Sequence, residues 1–202
     1  MIDLRVAALC LILFFSAGPA LAALSPDDQQ LEDKAVAYLD GLSNAKARFE
    51  QTDPQGRTVT GAFYLARPGR ARFEYDAPSD LLIVSDGKTV AVAHARLKTV
   101  QRLPLSSTPL KLFLADHIRL DRGARVTGVD RTAQGFSITA EGVRGNPHGQ
   151  ITLFFDATPM RLAGWAVTDG QGRTTRVTLQ DLSPAGELPA DLFALAPPPP
   201  AP

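Results

Sequence analysis

The chain has 202 residues with 21 basic and 21 acidic side chains, so its formal charge is zero. That balance excludes the electrostatic footprint of a nucleic-acid binder or of a protein held on an acidic membrane surface. The single cysteine, Cys10, lies in the leader described next, so an exported chain would carry no disulfide and must hold together by an apolar core, which this length can supply in one domain.

Residues 1–22 read as a secretory leader: a short polar start with Arg5, an apolar block from Val6 to Phe15, and a small-x-small site at Ala20-Leu21-Ala22. The block is shorter than the roughly 20 residues that span a bilayer. Cleavage after Ala22 leaves one domain over 23–195 and a proline-rich, extended tail over 196–202.

From Ser25 to about Leu42 the pattern is helical. Ser25 can cap, Pro26 suits the first turn, and Leu31, Ala35, Leu39 and Leu42 form one stripe with Tyr38 beside them. The period then changes to two. Strands are expected around Ala45 to Phe49, Val59 to Leu65, Ala71 to Tyr75, Leu81 to Val84, Thr89 to His94 and Thr99 to Leu103.

A short helix from Pro109 to Leu114 follows, apolar over most of its circumference through Leu110, Leu112, Phe113 and Leu114. Six residues cannot be helical alone in water, so this helix must be buried. Further strands are expected at Arg125 to Asp130, Phe136 to Glu141, Gln150 to Phe155, Leu162 to Thr168 and Thr174 to Leu182, with turn chemistry between them. Eight or more antiparallel strands in one sheet curl, and the apolar face becomes the inside of a barrel or half-barrel. Leu81-Leu82-Ile83-Val84 and Leu153-Phe154-Phe155 offer apolar groups to both faces, as expected for strands covered on one side and facing a core or ligand on the other.

No nucleophile elbow, phosphate loop or dinucleotide fingerprint is present. His94, His117 and His148 lack ligand spacing, and the carboxylates of Asp27, Asp28, Glu32 and Asp33 are explained by a helix start and a solvated face. No catalytic residue, metal or cofactor is therefore expected.

The stretch Arg67-Pro68, Ala71-Arg72-Phe73-Glu74-Tyr75, Leu81-Leu82-Ile83-Val84, Ser85-Asp86-Gly87-Lys88, Thr108-Pro109-Leu110-Lys111-Leu112-Phe113-Leu114 resembles the outer-membrane lipoprotein carrier family, LolA. The resemblance implies a mainly β fold: an unclosed antiparallel half-barrel with an N-terminal helix and short lid helices over an apolar cavity. It implies a periplasmic carrier, not an enzyme, that takes acylated lipoproteins from an inner-membrane releasing ABC transporter to an outer-membrane acceptor as a monomer.

Arg67 taken alone is either a solvated strand-end arginine or a latch. The resemblance implies the latch, with hydrogen bonds from the barrel to the lid. Phe63, Leu65, Phe73, Ile83, Val90, Val92, Leu112 and Phe113 are expected on the acyl-chain cavity. Two positions depart from the family pattern: Phe73 stands where relatives have tryptophan, and the proline tail replaces a carboxy-terminal extension. The alternative within the same fold is a periplasmic lipid- or lipoprotein-sensing regulator resembling RseB, though such regulators usually carry a second domain.

Overall fold

The structure is a computed structural model that describes residues 24–108, 110–118, 125–141 and 149–194. The leader at 1–22 with Cys10, the tail at 196–202, Pro109, His148 and the side chain of Leu112 lie outside the described residues. Among the described residues no helix is long and apolar enough to cross a membrane, and no three metal-ligating side chains cluster.

Helix α1 spans Pro26–Gly41. The Ser25 hydroxyl accepts a hydrogen bond from the Asp28 N–H at 3.2 Å, satisfying one of the free donors of the first turn. Ala35 and Leu39 are fully buried from its apolar stripe, with Leu31, Val36 and Tyr38 packed beside them.

All the expected strands form. They are β1 Asn44–Thr52, β2 Thr58–Ala66, β3 Arg70–Tyr75, β4 Leu81–Asp86, β5 Thr89–His94, β6 Thr99–Pro104, β7 Arg125–Arg131, β8 Gly135–Glu141, β9 Gln150–Ala157, β10 Met160–Thr168 and β11 Thr174–Pro184. They make one antiparallel sheet of eleven strands in the order β6-β5-β4-β3-β2-β1-β11-β10-β9-β8-β7. The chain thus draws two meanders whose first and last strands pair in the middle. Edge strands β6 and β7 do not pair, so the sheet is unclosed.

One core joins Val90 on β5 with Phe136 and Ile138 on β8, together with α1 and the segment after β6. Strands this far apart in the sheet order share a core because the sheet curls. The hairpins at its centre use matching aspartate turns. Asp53 Oδ1 accepts from the Gln55 and Arg57 N–H groups at 2.9 Å, and Asp169 Oδ1 accepts from Gln171 at 2.9 Å and Arg173 at 3.0 Å.

The segment between β6 and β7 begins with a 3₁₀ turn, Leu105–Ser107, and continues into helix α2, Leu110–Phe113. Within the expected lid the α-helix is thus only four residues long. The convex side carries a smaller apolar cluster in which Phe193, on a 3₁₀ turn at Ala190–Phe193, is buried against Ala66 and Val84 with Tyr64 and Leu82 around it. This accounts for the apolar run at Leu81 to Val84: Leu82 and Val84 face the C-terminal turn, while Leu81 and Ile83 face the main core. Phe154 likewise points outward from β9, where the Arg176 guanidinium lies 3.9 Å from its ring centroid.

Candidate functional site

The mouth of the half-barrel is closed by α2 and the residues after it. The anchoring begins at the β2–β3 turn. Gly69 has φ +78°, and a Cβ there would stand 2.5 Å from the Cα of Gly87 in the β4–β5 turn, so only glycine lets the two turns touch. The Gly69 carbonyl accepts a hydrogen bond from Ser85 Oγ at 2.7 Å, and its N–H donates to the carbonyl of Leu114 at the same distance. The turn is thus fixed from below by a buried serine and grips the end of the lid from above. Beyond it, the Ile118 N–H donates to Asp40 Oδ1 at 2.8 Å, tying the segment after α2 to α1.

Arg67 opens the same turn, and its N–H donates to the Ser43 carbonyl at 2.8 Å. Its guanidinium carbon lies 5.5 Å from the centroid of the Phe113 ring on α2. Nε, Nη1 and Nη2 each expose less than 1 Å² and have no hydrogen-bond partner among the described residues. Burial pulls the Arg67 pKa below the ordinary arginine value, and the nearby charge of Asp40 opposes that pull. The implied hydrogen bonds from Arg67 to lid carbonyls are not seen among the described residues. The side chain meets the lid through an aromatic face, and a barrel-to-lid hydrogen bond beside it is made by the Gly69 backbone.

Phe113 enters an aromatic cluster. Its centroid is 5.5 Å from that of Trp165 on β10 and 6.5 Å from that of Phe63 on β2. Phe63 in turn lies 4.8 Å from Phe73, and Phe73 lies 5.7 Å from Phe49, which stands 5.0 Å from Tyr75. The Phe49 ring has room because Gly61 opposes it on β2: a Cβ there would come within 2.5 Å of that ring. Burial pushes the Tyr75 hydroxyl up to about 12, and the protonated hydroxyl donates to Gln51 Oε1 at 2.8 Å.

Between lid and barrel lies an apolar cavity of about 220 Å³, lined by Leu110, Phe113, Ile151, Leu153, Trp165 and Val167. Phe63, Leu65, Phe73, Val90 and Phe113 are all buried in the main core, and Ile83 packs on it. Val92 is half-buried opposite Ile83 in the β4–β5 ladder. Of these only Phe113 touches this cavity, whose barrel wall belongs to β9 and β10. Alternation in the sequence places Ile151, Leu153, Trp165 and Val167 on the inner face. Which strands stand under the lid depends on the pairing of β1 with β11, which alternation does not encode.

The sequence model of the family described as "Outer membrane lipoprotein carrier protein LolA" matches residues 40–196. This chain belongs to the LolA family. Among LolA-type relatives, an "Outer-membrane lipoprotein carrier protein" of Bordetella pertussis is 30% identical over 207 aligned residues, covering 91% of this chain and 87% of the relative. Another of the same description from Methylibium petroleiphilum is 28% identical over 175, covering 82% and 85%. Among solved structures, an uncharacterized conserved protein from Thermus thermophilus has a TM-score of 0.50 at 14% identity, covering 85% of this chain and 94% of the other. That likeness concerns the fold alone. The LolA match begins within α1 and takes in the whole sheet and the lid.

Proposed function

We propose that the protein is a periplasmic carrier that takes up the acyl chains of lipoproteins released from the inner membrane and gives them up at the outer membrane. The observation that carries this reading is the apolar cavity between the barrel wall and a helix of only four residues, which has no stability of its own and serves as a cover. The relatives described as lipoprotein carriers support the same reading.

At about 220 Å³ the cavity falls below the ~300–1,000 Å³ of ordinary ligand pockets, so an acyl chain enters only when the lid moves. A palmitoyl-length chain gains on the order of 10 kcal/mol on leaving water, at about 0.8 kcal/mol per CH₂. Release is then the harder step, and a lid that refills the space when the chain departs lowers the net affinity. Phe113 and the Gly69–Leu114 hydrogen bond hold the lid closed, with Arg67 acting through the Phe113 ring. With the lid withdrawn, Phe63, Leu65, Phe73, Ile83, Val90 and Val92 form the wall for the chain beside the β9–β10 residues.

In this reading residues 1–22 export the protein, which works as a monomer and catalyses no reaction. It meets an inner-membrane releasing ABC transporter and an outer-membrane acceptor. Mass spectrometry of what copurifies from the periplasm, followed by reconstituted transfer from inner-membrane vesicles to outer-membrane vesicles, tests it. The expected result is acylated lipoprotein in the bound fraction and its appearance in the second vesicles. A bound lipid that never transfers would replace the carrier by a sensor.

A further inference from the structure

A guanidinium carries five N–H donors and no acceptor, and it stays charged in proteins. In Arg67 all three nitrogens are shut off from solvent and donate to nothing among the described residues. Buried donors are almost always paired, and leaving a charged one unpaired disfavours the conformation that holds it. The nearby carboxylate does not meet the need: Asp40 accepts from the Ile118 N–H at 2.8 Å and has His117 Nδ1 3.8 Å from its other oxygen.

Position says what would. The Phe113 ring lies 5.5 Å from the Arg67 guanidinium carbon and also lines the apolar cavity. One removable ring of the lid therefore separates a donor-only group from a space suited to methylene chains. A ligand that fills both must be an alkyl chain ending in an acceptor oxygen.

We infer that Arg67 is the head-group site of the cargo, donating to the acyl carbonyl oxygens at the end of the chain once Phe113 has moved aside. This rests on the carrier reading and adds to it the polar contact that places the chain end. The carbonyl comes either from the ester of a glyceryl lipid anchor or from the carboxylate of a free fatty acid. With the lid closed the Arg67 donors face only the Phe113 ring, and with cargo bound they gain acceptors, which offsets the ring contact that opening breaks.

The experiment is displacement of an apolar anthracene fluorophore from the purified protein by dodecane, methyl dodecanoate and dodecanoate. All three need the lid open, so any effect of a substitution on closure cancels in the ratio of their affinities. The unsubstituted protein should prefer the ester to the alkane at least tenfold. Arg67→Leu should reverse that preference, because an ester stripped of water without a partner binds worse than a hydrocarbon. Arg67→Gln keeps a donor and loses the charge, so it should retain an ester preference and lose any extra preference for the carboxylate. It also serves should the leucine variant fail to fold. A carboxylate preferred over the ester identifies a free acid as the source, and equal affinities identify the ester. Ester-to-alkane ratios unchanged in both variants would overturn the head-group site and leave the carrier reading standing. Failure of every probe to displace the fluorophore would overturn the carrier reading and the site with it.

Discussion

Replacing Phe113 by alanine removes the main purchase of the lid on the barrel. The ring is 5% exposed, touches Trp165 and Phe63 at centroid distances of 5.5 and 6.5 Å, and lies under the Arg67 guanidinium. Burial of a phenylalanine side chain, one good aromatic pair and a cation–π contact together come to about 3 kcal/mol, roughly a hundredfold in the ratio of closed to open lid. The loss should appear as local opening, because α2 connects two edge strands and is no part of the ladder.

Trp165 is the sole tryptophan of the chain and is 7% exposed beneath the lid, so its emission reports closure. In Phe113→Ala the folded protein should emit further to the red, and the Leu114 amide should exchange faster, with a modest change in urea midpoint. Phe49→Ala, in the sheet core, should instead lose about 3–5 kcal/mol of global stability. If Phe113→Ala lowered the urea midpoint as far as Phe49→Ala and left Trp165 emission below the transition unchanged, α2 would be an integral part of the core and the lid reasoning would be wrong.

Gly69→Ala sets a Cβ against the Gly87 backbone at φ +78°, which costs about 1–2 kcal/mol, so the melting temperature should fall by roughly 2–8 °C on calorimetry. Asp40→Ala removes the acceptor of the Ile118 N–H, and amide exchange at Ile118 should accelerate about tenfold, as expected for a hydrogen bond to a charged group. The Tyr75 hydroxyl, raised by burial to about 12 from an ordinary 10, makes the folded state hold its proton when the unfolded chain has lost it. Stability therefore declines as pH rises from 10 towards 12, by about 1 kcal/mol at pH 11, and Tyr75→Phe should flatten that part of a urea-midpoint titration.

Legibility in the sequence followed the range of the interaction. Helix α1 and the β5 strand at Thr89–His94 were readable because capping by Ser25 and alternation over six residues are local. The C-terminal 3₁₀ turn was not. Its anchor, Phe193, lies in a short stretch between Pro189 and Pro197 with no sustained period, and it is fixed by contacts with β2 and β4 more than a hundred residues earlier. The cavity wall is a similar case. Trp165 reads as an inward residue of its strand, but its place under Phe113 follows from curling and from the β1–β11 pairing. At the β2–β3 turn, the Arg67-Pro68 pair is legible in the sequence as a local motif. The unpaired guanidinium and the Gly69 bond to Leu114 are three-dimensional facts about how the lid lands there.

The seam between β1 and β11 also bears on how the molecule reaches its native state. It joins Ala45 to Pro184, whereas the other ladders link strands that follow one another in the chain. The β1–β6 meander can form from local hairpins as the chain emerges, leaving one side of β1 bare until β11 arrives. During that interval β1 is an open edge able to recruit a second chain. Its outward positions are Lys46, Arg48 and Glu50, alternating with Ala45, Ala47 and Phe49 that face the core. Charges of that kind guard exposed sheet edges against intermolecular pairing. The middle of the finished sheet thus retains the protective chemistry of a border, suited to the stage of folding when it was one.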